Sequence, residues 1–290
     1  MNKEKAPDIS IVLGSKNRKN LLKATINSIR LNGFKGKMEI IVVDGGSVDG
    51  TCDWLAKQKD IFTIIQPNYK IVDKEGISVL AHSWGEFMNI GFRYASAPWI
   101  VMVSDDLILA KGALQNGYDE LVKRVKNGEK IGGGAFFFRE YPRHSYYRVG
   151  LLPKNFIHIN HGFYFKKALE AINYIEENEY NFYCADGDLA MRLNENGYKT
   201  IALENCFADH LVHKPNFGRN KVSAATKRDI TVFDNKYPYD CTQLYFKKEV
   251  NISNDVRLFW KVAFMNCFFG LLLKYFDKYS MKFDKNNNIQ

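Results

Sequence analysis

Short apolar runs alternate with helical patterns through the first hundred residues of the chain. Apolar residues spaced three and four positions apart predict three helices. The first follows Asn20, which is its possible cap, the second lies around 53–57, and the third covers 85–94. The runs between these helices are almost continuously apolar, as expected of strands covered on both faces. They lie at residues 8–13, 38–43, 61–65 and 99–103. This order predicts βαβ units around a largely parallel sheet.

The pattern changes after residue 110. A helix is predicted near 114–125, followed by a glycine-rich strand (GGGAFFF), an aromatic and basic stretch to about residue 158, and two further helices. This order is typical of a mixed α+β region. Because no Pro- or Ser-rich linker separates it from the first part, we expect two halves that share one core.

Composition and charge restrict the possible partners. Hydrophobic residues make up 46% and charged residues 25%, which excludes a generally disordered chain. The net charge of +9 admits nucleotide phosphates, nucleic acid or an anionic membrane. Five cysteines without a CxxC pair indicate neither a zinc site nor a disulfide framework. The start of the chain, MNKEKAPDIS, has no apolar segment, so we expect a cytoplasmic protein.

Two carboxylates follow the fourth apolar run. Asp105 and Asp106 come directly after WIVMVS, at the end of a predicted parallel strand, where open α/β sheets bind ligands. Adjacent carboxylates repel each other unless a cation compensates them, and carboxylate oxygens suit Mg²⁺ or Mn²⁺ holding a diphosphate. The alternative is that both residues only cap the following turn.

A further acid ends the second run. In IIVVDGGSVDGT, Asp44 is followed by glycines that let backbone N–H groups approach a ligand closely. An acid at this position can accept hydrogen bonds from a nucleoside base or ribose. The segment is not a P-loop, because no GK[ST] follows. A tight turn closed by the aspartate side chain is the alternative.

Four sequence blocks, in order over residues 8–210, carry a family resemblance. The block IVLGSKNR resembles VVIPTYNR, VVDGGSVDGT resembles VVDDGSTDGT, and GEFMNIGFRYASAPWIVMVSDD resembles ARNxGxxxAxGxYIxFLDxDD. The fourth block, HGFYFKKALEAI with CADGDLAMRLNENGYKT, resembles the acceptor-side segment ending in EDxDLxxRLxxxGY. The chain therefore resembles the inverting glycosyltransferases of family 2, which have the GT-A fold. That fold is an α/β structure with a Rossmann-like nucleotide-binding half, a mixed sheet and an acceptor-binding half.

The resemblance implies a role for particular residues. Asp186 would be the general base that deprotonates the acceptor hydroxyl, with helix capping as the alternative. Asp106 and His210 would hold Mn²⁺ or Mg²⁺, with His213 competing for the place of His210. Gly162 and Asp188 would contact the acceptor. The residues that would bind the nucleotide sugar are Ser15, Asn17, Arg18, Asp44, Gly46, Asn89 and Asp105.

Several positions depart from the family pattern. Gly14 and Lys16 replace the usual Pro and Tyr, which leaves the nucleotide base open, although a UDP-sugar is favoured. Ser104, Met88 and Ala185 replace an Asp, an Arg and a Glu. These losses keep a rival hypothesis open, a catalytically lapsed protein that only binds nucleotide or glycan. A pyrophosphorylase-like enzyme is less favoured, because GSKNR is a poor match to its glycine-rich loop. His158 and His161 are expected to be surface or core residues, although they could line an acceptor pocket.

The expected organisation has four parts. Residues 1–7 form an extension, 8–110 the nucleotide-sugar-binding half, 111–240 the acceptor-binding half, and 241–290 a helical tail. The aromatic, basic stretch 257–278 is too short to span a bilayer comfortably, so it would lie on a membrane surface or pack against protein, including in a homodimer. The expected acceptor is a glycan or a polyprenyl-linked glycan, used in bacterial surface polysaccharide or glycoconjugate synthesis at the inner face of the membrane. Nucleic acid is not expected, because no recognition motif appears.

Overall fold

A computed structural model describes residues 6–141, 147–211 and 223–238, and the backbone of 246–248. The strands are β1 (Ile9–Ser15), β2 (Met38–Asp44), β3 (Ile61–Ile65), β4 (Lys70–Val72), β5 (Ser78–Leu80), β6 (Trp99–Met102), β7 (Leu107–Leu109), β8 (Ile131–Tyr141), β9 (Tyr147–Leu151), β10 (Ile157–His158), β11 (Gly162–Phe165), β12 (Lys199–Leu211) and β13 (Phe246–Lys248). The helices are α1 (Lys19–Arg30), α2 (Thr51–Leu55), α3 (Trp84–Tyr94), α4 (Ala113–Lys126), α5 (Lys166–Ala171), α6 (Ala185–Glu195) and α7 (Ala224–Lys236). A short 3₁₀ turn covers Pro153–Asn155.

One mixed sheet forms the centre of the molecule. Its strand order is β10-β9-β8-β11-β6-β1-β2-β3, with β12 beside β7 and β8, and β13 beside β9. The strands β6, β1, β2 and β3 are parallel, as the apolar runs predicted. β11 pairs antiparallel with both β6 and β8, so it joins the parallel part to the rest of the sheet. A separate hairpin consists of β4 and β5.

Helices cover both faces of this sheet. On one face the strands contribute residues such as Val12 and Ile41 to a core with α3, α5, α6 and α7. On the other face, residues such as Ile11 and Ile40 pack against α1, α2 and α4. Neighbouring residues of one strand enter opposite cores because side chains alternate across a sheet. The nearly continuous apolar runs of the sequence are therefore explained by burial on both sides.

The helix starts correct one detail of the sequence prediction. α1 begins at Lys19 with Arg18 at the cap position, so Asn20 lies inside the helix and is not its cap. The Asp49 carboxylate accepts from the Lys19 N–H at 3.0 Å, and a side chain from another loop thus satisfies this helix end. α3 begins at Trp84, one residue from the predicted start, and Ser83 caps it by accepting from the Glu86 N–H.

The C-terminal part is only partly described. The predicted helical tail 241–290 includes β13, whose backbone is a strand paired with β9, so the prediction is wrong for these three residues. The stretch 257–278 lies outside the described residues. Within the described part of the chain, every helix is too short or too polar to cross a membrane.

Candidate active site

Polar side chains converge where three parallel strands end. The parallel pairing of β1 with β2 places Ser15 opposite Asp44. β6 is parallel to β1 on its other side, so Asp105 and Asp106, which follow β6, lie at the same edge of the sheet. This edge, at the carboxyl ends of the strands, is the usual ligand-binding position in open α/β sheets.

Ser15, Arg18, Asp105 and Asp106 form a group that we call the strand-end cluster. The Ser15 hydroxyl donates to Asp105 Oδ2 at 2.8 Å. Arg18 Nη1 donates to Asp105 Oδ1 at 2.9 Å and to Asp106 Oδ2 at 2.8 Å. Burial raises the pKa of Asp105, and the negative charge of Asp106 raises it further. The positive charge of Arg18 lowers this pKa but does not outweigh burial. A single cation therefore holds two buried carboxylates together.

Asp44 closes the loop that follows β2. Its carboxylate accepts from the backbone N–H and the hydroxyl of Ser47, both at 2.7 Å, and from the Cys52 thiol at 3.3 Å. The side-chain-closed turn considered as the alternative is thus present. Asn17 joins the same loop, because its side-chain oxygen accepts from the Val48 N–H at 2.8 Å. Gly46 has a φ of +77°, a left-handed conformation that favours glycine.

His210 meets the strand-end cluster from another part of the chain. β12 pairs antiparallel with β7, which places His210 opposite Leu107. His210 Nε2 lies 3.2 Å from Asp106 Oδ1, and the Ser104 hydroxyl donates to that same oxygen. Burial alone would lower the pKa of His210, but the Asp106 carboxylate raises it above its ordinary value. The structure thus brings Asp106 and His210 together, and their role as metal ligands stays a prediction. His213 lies outside the described residues.

Asp186 lies in the first turn of α6 with three polar contacts. Asn160 Nδ2 donates to Asp186 Oδ2 at 3.0 Å, and His158 Nε2 lies 3.1 Å from the same oxygen. The Gly187 N–H donates to Oδ1 at 2.9 Å. Burial would raise the pKa of Asp186, but His158 and the Gly187 N–H lower it below its ordinary value. The side chain is 23% exposed, so a carboxylate that stays charged remains accessible. We call His158, Asn160 and Asp186 the α6 cluster.

His161 lies near both clusters. Its ring centroid is 5.7 Å from that of His210, and its backbone follows Asn160 of the α6 cluster. Burial lowers the pKa of His161 to about 3, and the charge of His210 acts in the same direction. Asp106 and Asp186 both act to raise this pKa, so both carboxylates lie within electrostatic reach of the ring. At neutral pH, the imidazole near the two acids is therefore neutral.

Other predicted site residues have structural partners. The Asn89 amide is buried and donates to the Ile175 carbonyl and to Glu177, so it ties α3 to the 175–177 segment. Asp188 is completely buried and lies 2.6 Å from Arg192 Nε. Gly162 packs tightly in β11, because a Cβ there would lie 2.1 Å from the Gly134 oxygen. These contacts explain the three residue types without a ligand.

Two of the residues at this site, Asp106 and His210, are of types that hold a divalent ion. Asp106 Oδ1 and His210 Nε2 face each other across 3.2 Å, and carboxylate and imidazole are both ligands of Mn²⁺. In the part of the chain that the structure describes, no group of three or more His, Cys, Asp or Glu side chains is placed to hold a metal ion. Mg²⁺ and Mn²⁺ in nucleotide sites are commonly held by one or two protein ligands together with substrate phosphates. Two protein ligands therefore suit an ion that arrives with a diphosphate.

Comparison with known proteins identifies the family. Residues 10–172 match the family model described as glycosyl transferase family 2, which is more than half of the 290 residues. The chain belongs to glycosyltransferase family 2. The matched range contains Asp44, the strand-end cluster and both His158 and His161, whereas Asp186 and His210 lie beyond its end. No curated protein matches this family 2 chain.

Solved structures share the fold at low identity. Residues 1–349 of S. aureus TarS align with a TM-score of 0.53 and 13% identity, covering 70% of this chain and 60% of that one. The same fragment has been solved in complex with UDP-GlcNAc, and it aligns at 14% identity with a TM-score of 0.53 over 74% of this chain and 62% of that one. The mannosyltransferase PcManGT from Pyrobaculum calidifontis, in complex with GDP-Man and Mn²⁺, aligns at 17% identity with a TM-score of 0.53 over 74% of this chain and 59% of that one. The family 2 chain thus spans about 60% of the length of these structures. The predicted GT-A fold is confirmed.

Sequence reasoning did not place His158, Asn160 and His161 in the site. The histidines were expected by default to be surface or core residues, with an acceptor pocket as the alternative, although His161 opens the block HGFYFKKALEAI. Their place follows from the pairing of β11 with β6, which brings Gly162 opposite Met102 and hence close to the end of β6. The available signal was the position of both histidines around the start of the family-like block HGFYFKKALEAI.

Proposed function

We propose that this protein transfers a sugar from a nucleotide-diphosphate donor to a hydroxyl of a glycan or lipid-linked acceptor, with inversion at the anomeric carbon. The observation that carries the proposal is that two separate carboxylates, Asp106 beside His210 and Asp186 beside Asn160, both lie near His161. One carboxylate belongs to a cluster suited to phosphates and a cation, and the other is an accessible, charged group suited to accept a proton. A displacement with inversion requires these two functions on opposite sides of the reacting carbon.

The strand-end cluster and the Asp44 loop would bind the nucleotide sugar. Arg18 supplies a positive charge at the strand ends, where a diphosphate is favoured, and its side chain is 44% exposed. Ser15, Asn17, Asp44, Gly46 and Asp105 would complete the nucleotide-sugar site. The structural relatives were solved with UDP-GlcNAc and with GDP-Man, which supports a nucleotide sugar as donor. A UDP-sugar is the first candidate.

Asp106 and His210 would hold Mn²⁺ or Mg²⁺. When bound, the ion would offset the negative charge that develops on the departing diphosphate. Arg18 contacts Asp106 Oδ2, whereas the Ser104 hydroxyl and His210 Nε2 contact Oδ1, so a bound ion would lie between Oδ1 and the His210 ring in place of their direct contact. The Mn²⁺ in the mannosyltransferase complex supports this assignment.

Asp186 would remove the proton from the acceptor hydroxyl as that oxygen attacks the anomeric carbon. A positioned base contributes about 10²–10⁴-fold to such a step. His158 and the Gly187 N–H both lower the pKa of this carboxylate, so it is deprotonated at neutral pH and ready to accept a proton. The Asn160 amide fixes its orientation.

The proposed wider setting rests on the family. We assign the protein to bacterial surface polysaccharide or glycoconjugate synthesis, at the inner face of the cell membrane. The basic surplus of the chain, Lys+Arg 41 against Asp+Glu 32, supports contact with an anionic lipid or glycan. A peripheral membrane contact through 257–278 and a homodimer belong to the same proposal.

Nucleotide-sugar hydrolysis in the presence of Mn²⁺ tests the proposed function. We expect the wild-type protein to hydrolyse at least one of UDP-GlcNAc, UDP-glucose and GDP-mannose, with water replacing the acceptor. Asp186→Asn should lower kcat about 10²–10⁴-fold at unchanged affinity for the nucleotide. Asp106→Asn should abolish the response to Mn²⁺. Asp119→Asn, an exposed residue of α4, is the matched control and should behave as wild type.

Two results would contradict the proposal. Unchanged nucleotide affinity and unchanged Mn²⁺ response in Asp106→Asn would remove the assigned metal site. Nucleotide binding without hydrolysis of any donor would favour the rival hypothesis, a lapsed family member that only binds.

A further inference from the structure

A buried carboxylate on α7 holds the loop that precedes α6. Asp229 Oδ1 accepts from the Asn181 N–H at 2.9 Å. Asp229 Oδ2 accepts from the Phe182 N–H at 2.8 Å and the Tyr183 N–H at 2.9 Å. The Asp229 side chain is completely buried. One carboxylate thus satisfies three successive backbone donors that belong to neither a helix nor a strand.

This loop determines where α6 begins. Cys184 follows the three donors with a φ of +65°, an unusual left-handed conformation for a residue other than glycine, and it is the cap residue of α6. Asp186 lies only two residues further. A shift of the loop would therefore move the start of α6 and the carboxylate of Asp186 with it.

The other end of the loop is held from the first half of the chain. The Asn181 side chain accepts from the Leu80 N–H at 3.0 Å and donates to the Leu80 carbonyl at 3.1 Å. The Asn181 carbonyl accepts from the Trp84 N–H at 2.8 Å. The loop is thus fixed between β5 and α7, and two half-exposed aromatic residues, Phe182 and Tyr183, lie within it.

α7 also holds the chain just after Asp186. The Tyr237 hydroxyl, one residue beyond α7, donates to Asp188 Oδ1 at 2.9 Å, and Lys236 Nζ lies 2.9 Å from the same oxygen. Contacts from α7 and from Tyr237 therefore hold the chain both before and after Asp186. α7 lies beyond residues 10–172, which match the family model, so the family pattern does not include this arrangement.

We propose that Asp229 is a positioning residue for the transfer reaction: by binding the N–H groups of 181–183, it places Asp186 against the acceptor oxygen. The inference rests on the proposed function, in which Asp186 is the base. Only a carboxylate meets all three donors, because an asparagine in the same place has one oxygen and turns an N–H₂ group toward an N–H. A displacement of about 1 Å in a reacting group can reduce a rate about 100-fold.

Asp229→Asn tests this role, with Asp234→Asn as the matched control. Asp234 lies on the same helix and is exposed, so the control makes the same charge change without breaking the loop contacts. Three quantities are measured: kcat for Mn²⁺-dependent UDP-GlcNAc hydrolysis or that of another active donor, affinity for UDP, and hydrogen exchange of the amides in 178–187. We expect Asp229→Asn to lower kcat at least about tenfold, to leave UDP affinity within about twofold, and to speed exchange at 181–183. Asp234→Asn should match wild type in all three.

A milder variant guards against simple misfolding. Tyr237→Phe removes one hydrogen bond to Asp188 and should lower kcat by a smaller factor than Asp229→Asn, again without loss of UDP affinity. Wild-type kcat and wild-type exchange in Asp229→Asn would overturn the inference. So would a parallel loss of kcat and UDP affinity, which indicates a global effect. A wild-type protein that hydrolyses no donor would instead overturn the proposed function, and this inference with it.

Discussion

The strand-end cluster and the α6 cluster are held in different ways. Arg18 and Ser15 lie within four residues of each other, and together with Asp105 and Asp106 they come from the ends of two neighbouring strands. Asp186, in contrast, depends on Asn160, 26 residues earlier, and on a loop held by Asp229 from α7, which follows it. The first cluster follows from the order of parallel strands. The second requires contacts between segments that are distant in sequence and outside the sheet's parallel part.

The two halves also contain ion pairs that differ in burial. Arg139 and Asp209 join β8 to β12 through two hydrogen bonds of 2.7 and 2.9 Å, with side chains 10% and 0% exposed. Arg30 and Asp60 form a similar two-point contact in the first half, but their side chains are 32% and 53% exposed. Burial, and not geometry, separates the two pairs. Variants of the two ion pairs and of the two clusters should show how far the halves differ, with the expected effect decreasing from Asp209→Ala to Asp60→Ala.

Asp209→Ala should be strongly destabilising. Removing one partner of a buried ion pair leaves an uncompensated charge and typically costs about 3–5 kcal/mol. The Tyr147 hydroxyl also loses its acceptor, which lies 2.8 Å away. Chemical denaturation should show a lower free energy of unfolding. A loss below about 1 kcal/mol would show that the second half does not depend on this pair.

Arg18→Met should weaken UDP binding about tenfold, because one charge-assisted contact to a phosphate is lost. The two carboxylates of the strand-end cluster would also lose their shared cation. Titration calorimetry measures the affinity. Arg93→Met is the matched control, because the Arg93 side chain is 46% exposed but lies on α3, paired with Glu177. Equal effects from both variants would contradict a specific role for Arg18.

His158→Ala should move the acid side of the pH–rate profile to higher pH. A carboxylate acts as a base only when deprotonated, so the rate falls as the pH drops through the pKa of Asp186. His158 lowers this pKa, and without it burial raises the value. We therefore expect the acid limb of kcat for donor hydrolysis to move to higher pH, and an unmoved limb would contradict this role of His158. His82→Ala, which removes a histidine paired with Glu86 elsewhere, should leave the profile unchanged.

Asp60→Ala should have the smallest effect. An exposed ion pair contributes about 0–1 kcal/mol, because water screens the charges and the long side chain loses freedom. Thermal and chemical unfolding should place this variant within about 1 kcal/mol of wild type. A loss as large as that of Asp209→Ala would show that exposure does not separate the two pairs.

Much of the first half could be predicted from sequence, because buried parallel strands leave continuous apolar runs and their ends carry recognisable polar residues. Asp44, Asp105 and Asp106 follow such runs directly. His158 and Asn160 could not be placed, since their proximity to Asp186 depends on how β10 and the segment before β11 approach α6. β12 was missed as well, because its 13 residues include a break in register and alternate irregularly. The Asn20 cap failed because Asp49, from a different loop, supplies the acceptor.

The position of Asp229 also has a consequence for how the protein is made. During synthesis, the strand-end cluster has all four of its residues once residue 106 has left the ribosome. The loop before Asp186 lacks its anchor until more than forty further residues beyond that loop have been added. Domains generally fold as units. A chain cut short between residues 190 and 228 would therefore contain the strand-end cluster and Asp186 but would lack the carboxylate that holds the loop before Asp186.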